Sequence, residues 1–187
     1  MYEQQALNQL KQGVADLAIV TTALQDQLTD DMHCISLGQI TMQVAAATDH
    51  PLVLSCFAKQ SLNTKASTKA STKASTKNST SLKVSIEQVL PHAFVSTSIS
   101  PYCGEQRGIG CDGWRNDIFP RKLSIIANDF SVLVQIVKSG QALAYLPDYL
   151  VKAHNLVQLS ISDCQYHCHE QTILVSYQKN LIDLFDQ

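Results

Sequence analysis

The strongest constraint on this chain is an alternation between two kinds of apolar pattern. Short apolar runs of the kind that form strands alternate with stretches whose apolar residues recur at helical spacing. Leu17 to Val20, Phe94 to Ser98, Arg121 to Ala127, Ala142 to Leu146, Val157 to Ile161 and Thr172 to Tyr177 read as strands. Ala6, Leu7, Leu10 and Val14 are spaced to share one helical face, and Gly13 is placed to end that helix. Val132, Leu133, Ile136 and Val137 predict a helix over 129–139 with Gly140 just past its end. Ser85-Ile86-Glu87-Gln88 is a capping box that opens a short helix through Leu90, closed by Pro91. Pro147 starts another short helix, and Leu181 to Phe185 a last one. Met32 to Ala47 is β-like, with Gly38 marking a turn or bulge and Asp49-His50-Pro51 ending the run. Such alternation predicts α/β architecture with largely parallel sheets, and Leu17 to Val20 as a strand buried on both faces.

One segment departs from the pattern. Lys65-Ala66-Ser67-Thr68 recurs from Lys69 and Lys73, with a degenerate copy at Lys77-Asn78-Ser79-Thr80. A period of four is too short for a repeat unit that buries a core. The segment has almost no apolar surface to offset the entropy of ordering it. Residues 60–81 are therefore predicted to be a flexible surface insertion. A basic contact to nucleic acid is the alternative, but the lysines lack interleaved aromatics and arginines.

Elsewhere the charge is low. Charged residues are 16% of the 187, and the formal net charge is −2. Phosphate affinity comes from clustered Lys and Arg, so nothing here supports nucleic-acid binding by this chain. No apolar run is long enough to span a membrane, and Met1 to Gln12 lacks the basic start and apolar core of a signal peptide. A cytoplasmic location is expected. Cys34, Cys56, Cys103, Cys111, Cys164 and Cys168 are then read as free thiols rather than a disulfide framework.

Catalytic signatures are absent. There is no Gly-x-Ser-x-Gly elbow, no phosphate-binding Gly-x-x-x-x-Gly-Lys and no His-Glu-x-x-His, and the glycines 104, 108, 110 and 113 do not form a dinucleotide fingerprint. The chain is not read as an enzyme, and no cofactor is expected. Cys164-Gln165-Tyr166-His167-Cys168-His169 has zinc-type ligands. On a strand, however, the cysteines and histidines would face opposite sides, so no metal site is assigned.

Four pieces of sequence together resemble the effector-binding domain of LysR-type transcription regulators. They are Gln9 to Val20, with its Leu10, Gly13 and Asp16-Leu17-Ala18-Ile19; the turn Asp49-His50-Pro51-Leu52; Asp112 to Arg121; and Leu133 to Leu150, with Val137-Lys138-Ser139-Gly140 and Leu146-Pro147. The resemblance covers most of the chain between Glu3 and Tyr177, apart from the lysine repeats. It implies a two-lobed fold like that of type 2 periplasmic binding proteins. Lobe one would be 1–46 and 160–187, and lobe two 47–159, with hinge strands near Val44 to Ala47 and Val157 to Ile161. It also implies a small-molecule effector, a homodimer, and DNA contact only through a helix-turn-helix that this sequence does not contain. The family's opening strand, helix and second strand are not seen either, so lobe one is expected to be incomplete.

On that resemblance the effector cleft would be lined by Thr21 and Thr22 after the first strand. Ser96, Ser98, Ser100 and Pro101 would leave lobe two's first strand, and Trp114, Asn128, Phe130 and Tyr145 would complete the lining. Each has a plainer reading. The threonines can satisfy a turn, the serines are ordinary turn residues, and Trp114 can anchor a long loop. A solute-binding protein for transport would share the fold, and a metal protein built on Cys164 to His169 is the remaining alternative.

Overall fold

The computed structural model describes residues 3–64, 81–98, 112–164 and 168–185. In chain order the elements begin with α1 (Glu3–Lys11), β1 (Ala18–Thr21), a 3-10 turn (Thr22–Gln27) and the long β2 (His33–Ala46). Then come α2 (Pro51–Thr64), β3 (Ser81–Val84), α3 (Ile86–Val89), β4 (Ala93–Ser96) and β5 (Lys122–Ile126). The last are α4 (Phe130–Lys138), β6 (Ala144–Pro147), α5 (Asp148–Ala153), β7 (Val157–Ile161), β8 (His169–Ser176) and α6 (Lys179–Asp183). The mixture is α/β. The chain divides into two compact units, one from Met1–Met42, Thr97–Asp117 and His167–Gln187, the other from Gln43–Ser96 and Ile118–Tyr166. From sequence alone, 97–117 falls in lobe two.

In the first unit β8 pairs antiparallel with β1, Ala18 opposite Val175 through Thr21 opposite Thr172, and with β2 from His33–Ser176 to Thr41–His169. Leu7 and Leu10 of α1 pack on Ala18, Val20 and Val175, joined by Leu24 and Met32. Three sequence expectations change here. The ladders are antiparallel, not parallel. β1 is not buried along both faces: α1 covers Ala18 and Val20, while on the other face Ile19 is 58% exposed and only Thr21, at the strand's end, is buried. Val14 leaves the helical face, since α1 stops at Lys11 and Gly13, at φ +69°, turns the chain. Gly38 proves to be a bulge rather than a turn: β2 runs on through it, and the register with β8 shifts between Ser36 and Gly38.

In the second unit the end of β2 pairs antiparallel with β7, Val44 opposite Leu159 and Ala46 opposite Val157. β3 lies parallel to β7. β4 lies parallel to β5, and Phe94 bridges in parallel to Leu143, just before β6. α4 covers this sheet with Leu133, Val134 and Val137, packed among Val95, Ala142, Ala144, Leu146, Val151 and Leu156. Val132, which the periodicity placed on the buried face, is 52% exposed, and Val134 takes its place.

Two elements of this unit are not predicted. Pro51 ends the β-like run, but it also opens α2, as proline suits a first helical position where the N–H would go unused. The helix escapes notice because Leu54 and Phe57 are exposed beside buried Leu52, Val53 and Cys56, which blurs the apolar stripe. The strand β3 follows the repeats directly. The predicted insertion at 60–81 therefore shrinks: helix runs through Thr64 and strand begins at Ser81. Residues 65–80 lie outside the described residues. The capping box holds: Ser85 N donates to Gln88 Oε1 at 2.9 Å, opening α3.

Candidate functional site

β4, β5 and the chain entering β6 run in parallel, so their C-terminal ends face the same way. In open α/β sheets that edge is where ligands bind. Ser96 is the last residue of β4 and is buried. Its carbonyl accepts from Ala127 N at 2.9 Å, which ties the end of β4 to the end of β5. Asn128 follows, exposed, and Asp129 then caps α4. Phe130, half-buried, is the first residue of that helix. Tyr145 stands two residues beyond Leu143, as Ser96 stands two beyond its bridge partner Phe94, so the two share the same end of the parallel strands. Four predicted site residues, Ser96, Asn128, Phe130 and Tyr145, thus lie at or just beyond the C-terminal ends of the second unit's parallel strands, Ser96 and Tyr145 buried.

The cap sets the electrostatics of this edge. Asp129 Oδ1 accepts from Ser131 N at 2.7 Å and Val132 N at 3.1 Å. The Val132 backbone bond, then those to Ser131, hold the carboxyl below its usual range. The N–H groups at the start of α4, of a kind that attracts anions, therefore already serve an anion of the chain's own. The sequence does not show that this charge sits beside the strand ends. The Asn-Asp pair ahead of an apolar helix was the available signal.

The other candidates lie in the first unit or outside the described residues. Thr21 ends β1 and is only 2% exposed. Its N and its hydroxyl both donate to Glu3 Oε2 at 2.8 Å, and Ala23 N donates to Thr21 Oγ1 at 3.3 Å. Thr22 opens the 3-10 turn and is half-exposed. Trp114 is buried, its N donating to Asp112 Oδ1 at 3.2 Å. Arg115 spends its guanidinium fork on Asp117: Nε donates to Oδ1 at 2.7 Å and Nη2 to Oδ2. Ser98 is exposed, two residues past the end of β4. Ser100 and Pro101 lie outside the described residues, as do Cys103 and Cys111.

Cys164 to His169 is not one strand. β8 starts at His169, Cys164 precedes it in a loop, and 165–167 lie outside the described residues. Cys164 and Cys168 are buried, and His169 Nδ1 lies 3.0 Å from Thr41 Oγ1 across the β2–β8 ladder. Among the described residues no group of three or more His, Cys, Asp or Glu is placed to hold a metal ion. Among them, too, no helix is long and apolar enough to cross a membrane.

No protein-family model matches this sequence, and no curated protein sequence does either. Solved structures do. The regulatory domain of MetR from N. meningitidis, a LysR family regulator, covers 96% of this chain at 17% identity and TM-score 0.54, with 70% of its own length covered. The effector-binding domain of QuiR in complex with shikimate matches 96% of this chain at 16% identity and TM-score 0.52, again over 70% of its length. A probable transcriptional regulator from Pseudomonas aeruginosa matches 96% of this chain at 14% identity and TM-score 0.55. Only 51% of that regulator is covered, so this chain spans about half its length. The fold is therefore that of the effector-binding domains of LysR-type regulators, the type 2 periplasmic-binding-protein-like class.

Proposed function

We propose that this chain is the effector-sensing part of a LysR-type transcription regulator, not an enzyme. It binds a small polar molecule in the cytoplasm and passes the change, through a homodimer, to DNA-binding segments of a longer regulator. The observation that carries this reading is the placement of Ser96, Asn128, Phe130 and Tyr145 at the C-terminal strand ends, within a fold shared with domains that bind effectors. A hydroxyl, an amide and two aromatic rings suit an effector with a ring or short carbon frame and several hydrogen-bonding groups. Asp129 favours neutral or cationic groups on the part of the effector nearest α4. Thr21 and Trp114 belong to the first unit and do not enter this reading. Thr22 and Ser98 likewise belong to the first unit and are left out of it.

A thermal-shift screen with small hydroxy acids, polyols and amino acids tests this. A true effector at a hundredfold excess over its Kd stabilises by about 2.7 kcal/mol, or about 5–10 °C in a chain of this size. Asn128→Ala, at an exposed position, should lose that shift while keeping the melting temperature of the free protein. A folded protein that no compound shifts counts against the reading.

A further inference from the structure

The sequence motif that the site does not absorb is Asp49-His50-Pro51. His50 stands at the start of α2, and its ring Nδ1 accepts from Leu52 N at 3.2 Å. His50 N donates to Ala47 O at 3.2 Å, and Leu54 N donates to His50 O at 3.0 Å. His50 therefore caps the helix, a role usually filled by Ser, Thr, Asp or Asn. The ring is 2% exposed. Against it, edge-on, lies the ring of His92, with centroids 4.9 Å apart and planes at 65°. His92 comes from the turn that leads into β4, so the pair pins the first turn of α2 to the N-terminal end of that strand.

We propose that the His50–His92 pair is a proton-operated latch on the first turn of α2. With both rings neutral the latch is closed. Protonation of His50 at Nδ1 turns the cap acceptor into a donor, so the bond from Leu52 N cannot persist. It also sets a positive charge at the positive end of the helix dipole and beside a second imidazole. All three effects push the turn away from β4.

Among the described residues, His92 and Asp49 are the titratable groups that act on His50. Burial is the main cause that holds its pKa down, to about 4, and His92 adds to it; Asp49, beside it in the chain, acts in the opposite direction. Lys138, in the last turn of α4, is not among the groups that act on it. Asp49 faces α4's end instead: a Cβ added at Gly140, which sits at φ +73°, would lie 3.1 Å from Asp49 Oδ1. Burial also lowers the pKa of His92. An unfolded chain takes up the His50 proton near pH 6.5, whereas the folded chain refuses it until about pH 4. Between those values the unfolded state binds more protons, so stability falls as pH falls through the window and is unaffected above it.

The test follows the His50 ring by NMR through an acid titration of the whole chain, together with hydrogen exchange at Leu52 N. We expect His50 to titrate far below 6.5 and the Leu52 amide to lose protection as it does. His50→Asn keeps an acceptor at the cap but cannot be protonated. Relative to the native chain, its folding equilibrium should improve by up to about 100-fold between pH 7 and pH 4.5, two units into the window. His50 titrating near 6.5, an unchanged Leu52 amide, or parallel stability curves for the two proteins overturns the latch. If His50→Asn does not fold, the titration of the native chain decides alone.

Discussion

Thr21 serves two neighbours with one hydroxyl, donating to Glu3 and accepting from Ala23 N. Glu3 is itself buried in the first turn of α1, so its carboxylate depends on such donors. Thr21→Val keeps the shape and removes the hydroxyl. We expect a loss of about 1–3 kcal/mol in urea unfolding, because the bond to a charged acceptor goes while the acceptor stays buried. Thr21→Ser should restore most of it. At this scale the sequence was legible in part. The hydroxyl at a strand exit was visible, and both a ligand-facing and a turn-satisfying role fitted it. The partner was not visible, because Glu3 lies 18 residues away and meets Thr21 only after α1 folds back on β1. His50 shows the same limit. Its turn was legible, but His92 reaches it only through the packing of the second unit.

Among the elements, α4 shows how far periodicity carries. Its bounds were legible because both ends are marked chemically: Asp129 caps the start, and Gly140 takes the positive φ that follows the end. Its buried face was misjudged by one position, since Val132 and Val134 are both valines and only the sheet decides which points inward. The two positions should separate cleanly on mutation. Val137→Ala empties a fully buried site and should cost about 2–3 kcal/mol, two methyl groups plus the cavity left behind. Val132→Ala should lie within about 0.5 kcal/mol of neutral, since the site is exposed and alanine is the better helix former. Equal losses at the two positions, measured by chemical denaturation, would mean that the outward face of α4 is covered in solution. Strand orientation was the least legible feature. Short apolar runs look alike in parallel and antiparallel ladders, and β8 reaches β1 and β2 from the far end of the chain.

For the whole molecule, the α/β class and the order of elements other than α2 and β3 could be read from alternation alone. The particular architecture needed the resemblance carried by the Asp16 to Ile19, Asp49 to Leu52 and Gly140 to Pro147 segments. What alternation could not supply was the extent of the interruption between α2 and β3. The helix enters it from one side and the strand leaves it on the other, so 65–80 connects two elements of the second unit. Closing such a loop costs entropy that grows only with the logarithm of its length. Excising Lys69 to Thr76, two full copies of the repeat, halves the connection and should raise stability by only about 0.6 kcal/mol. Urea midpoints of the shortened and full-length proteins measure this directly. A loss beyond about 2 kcal/mol would instead mean that the repeats pack against the fold, and their four lysines would then have to be counted with the charges of the second unit rather than with solvent.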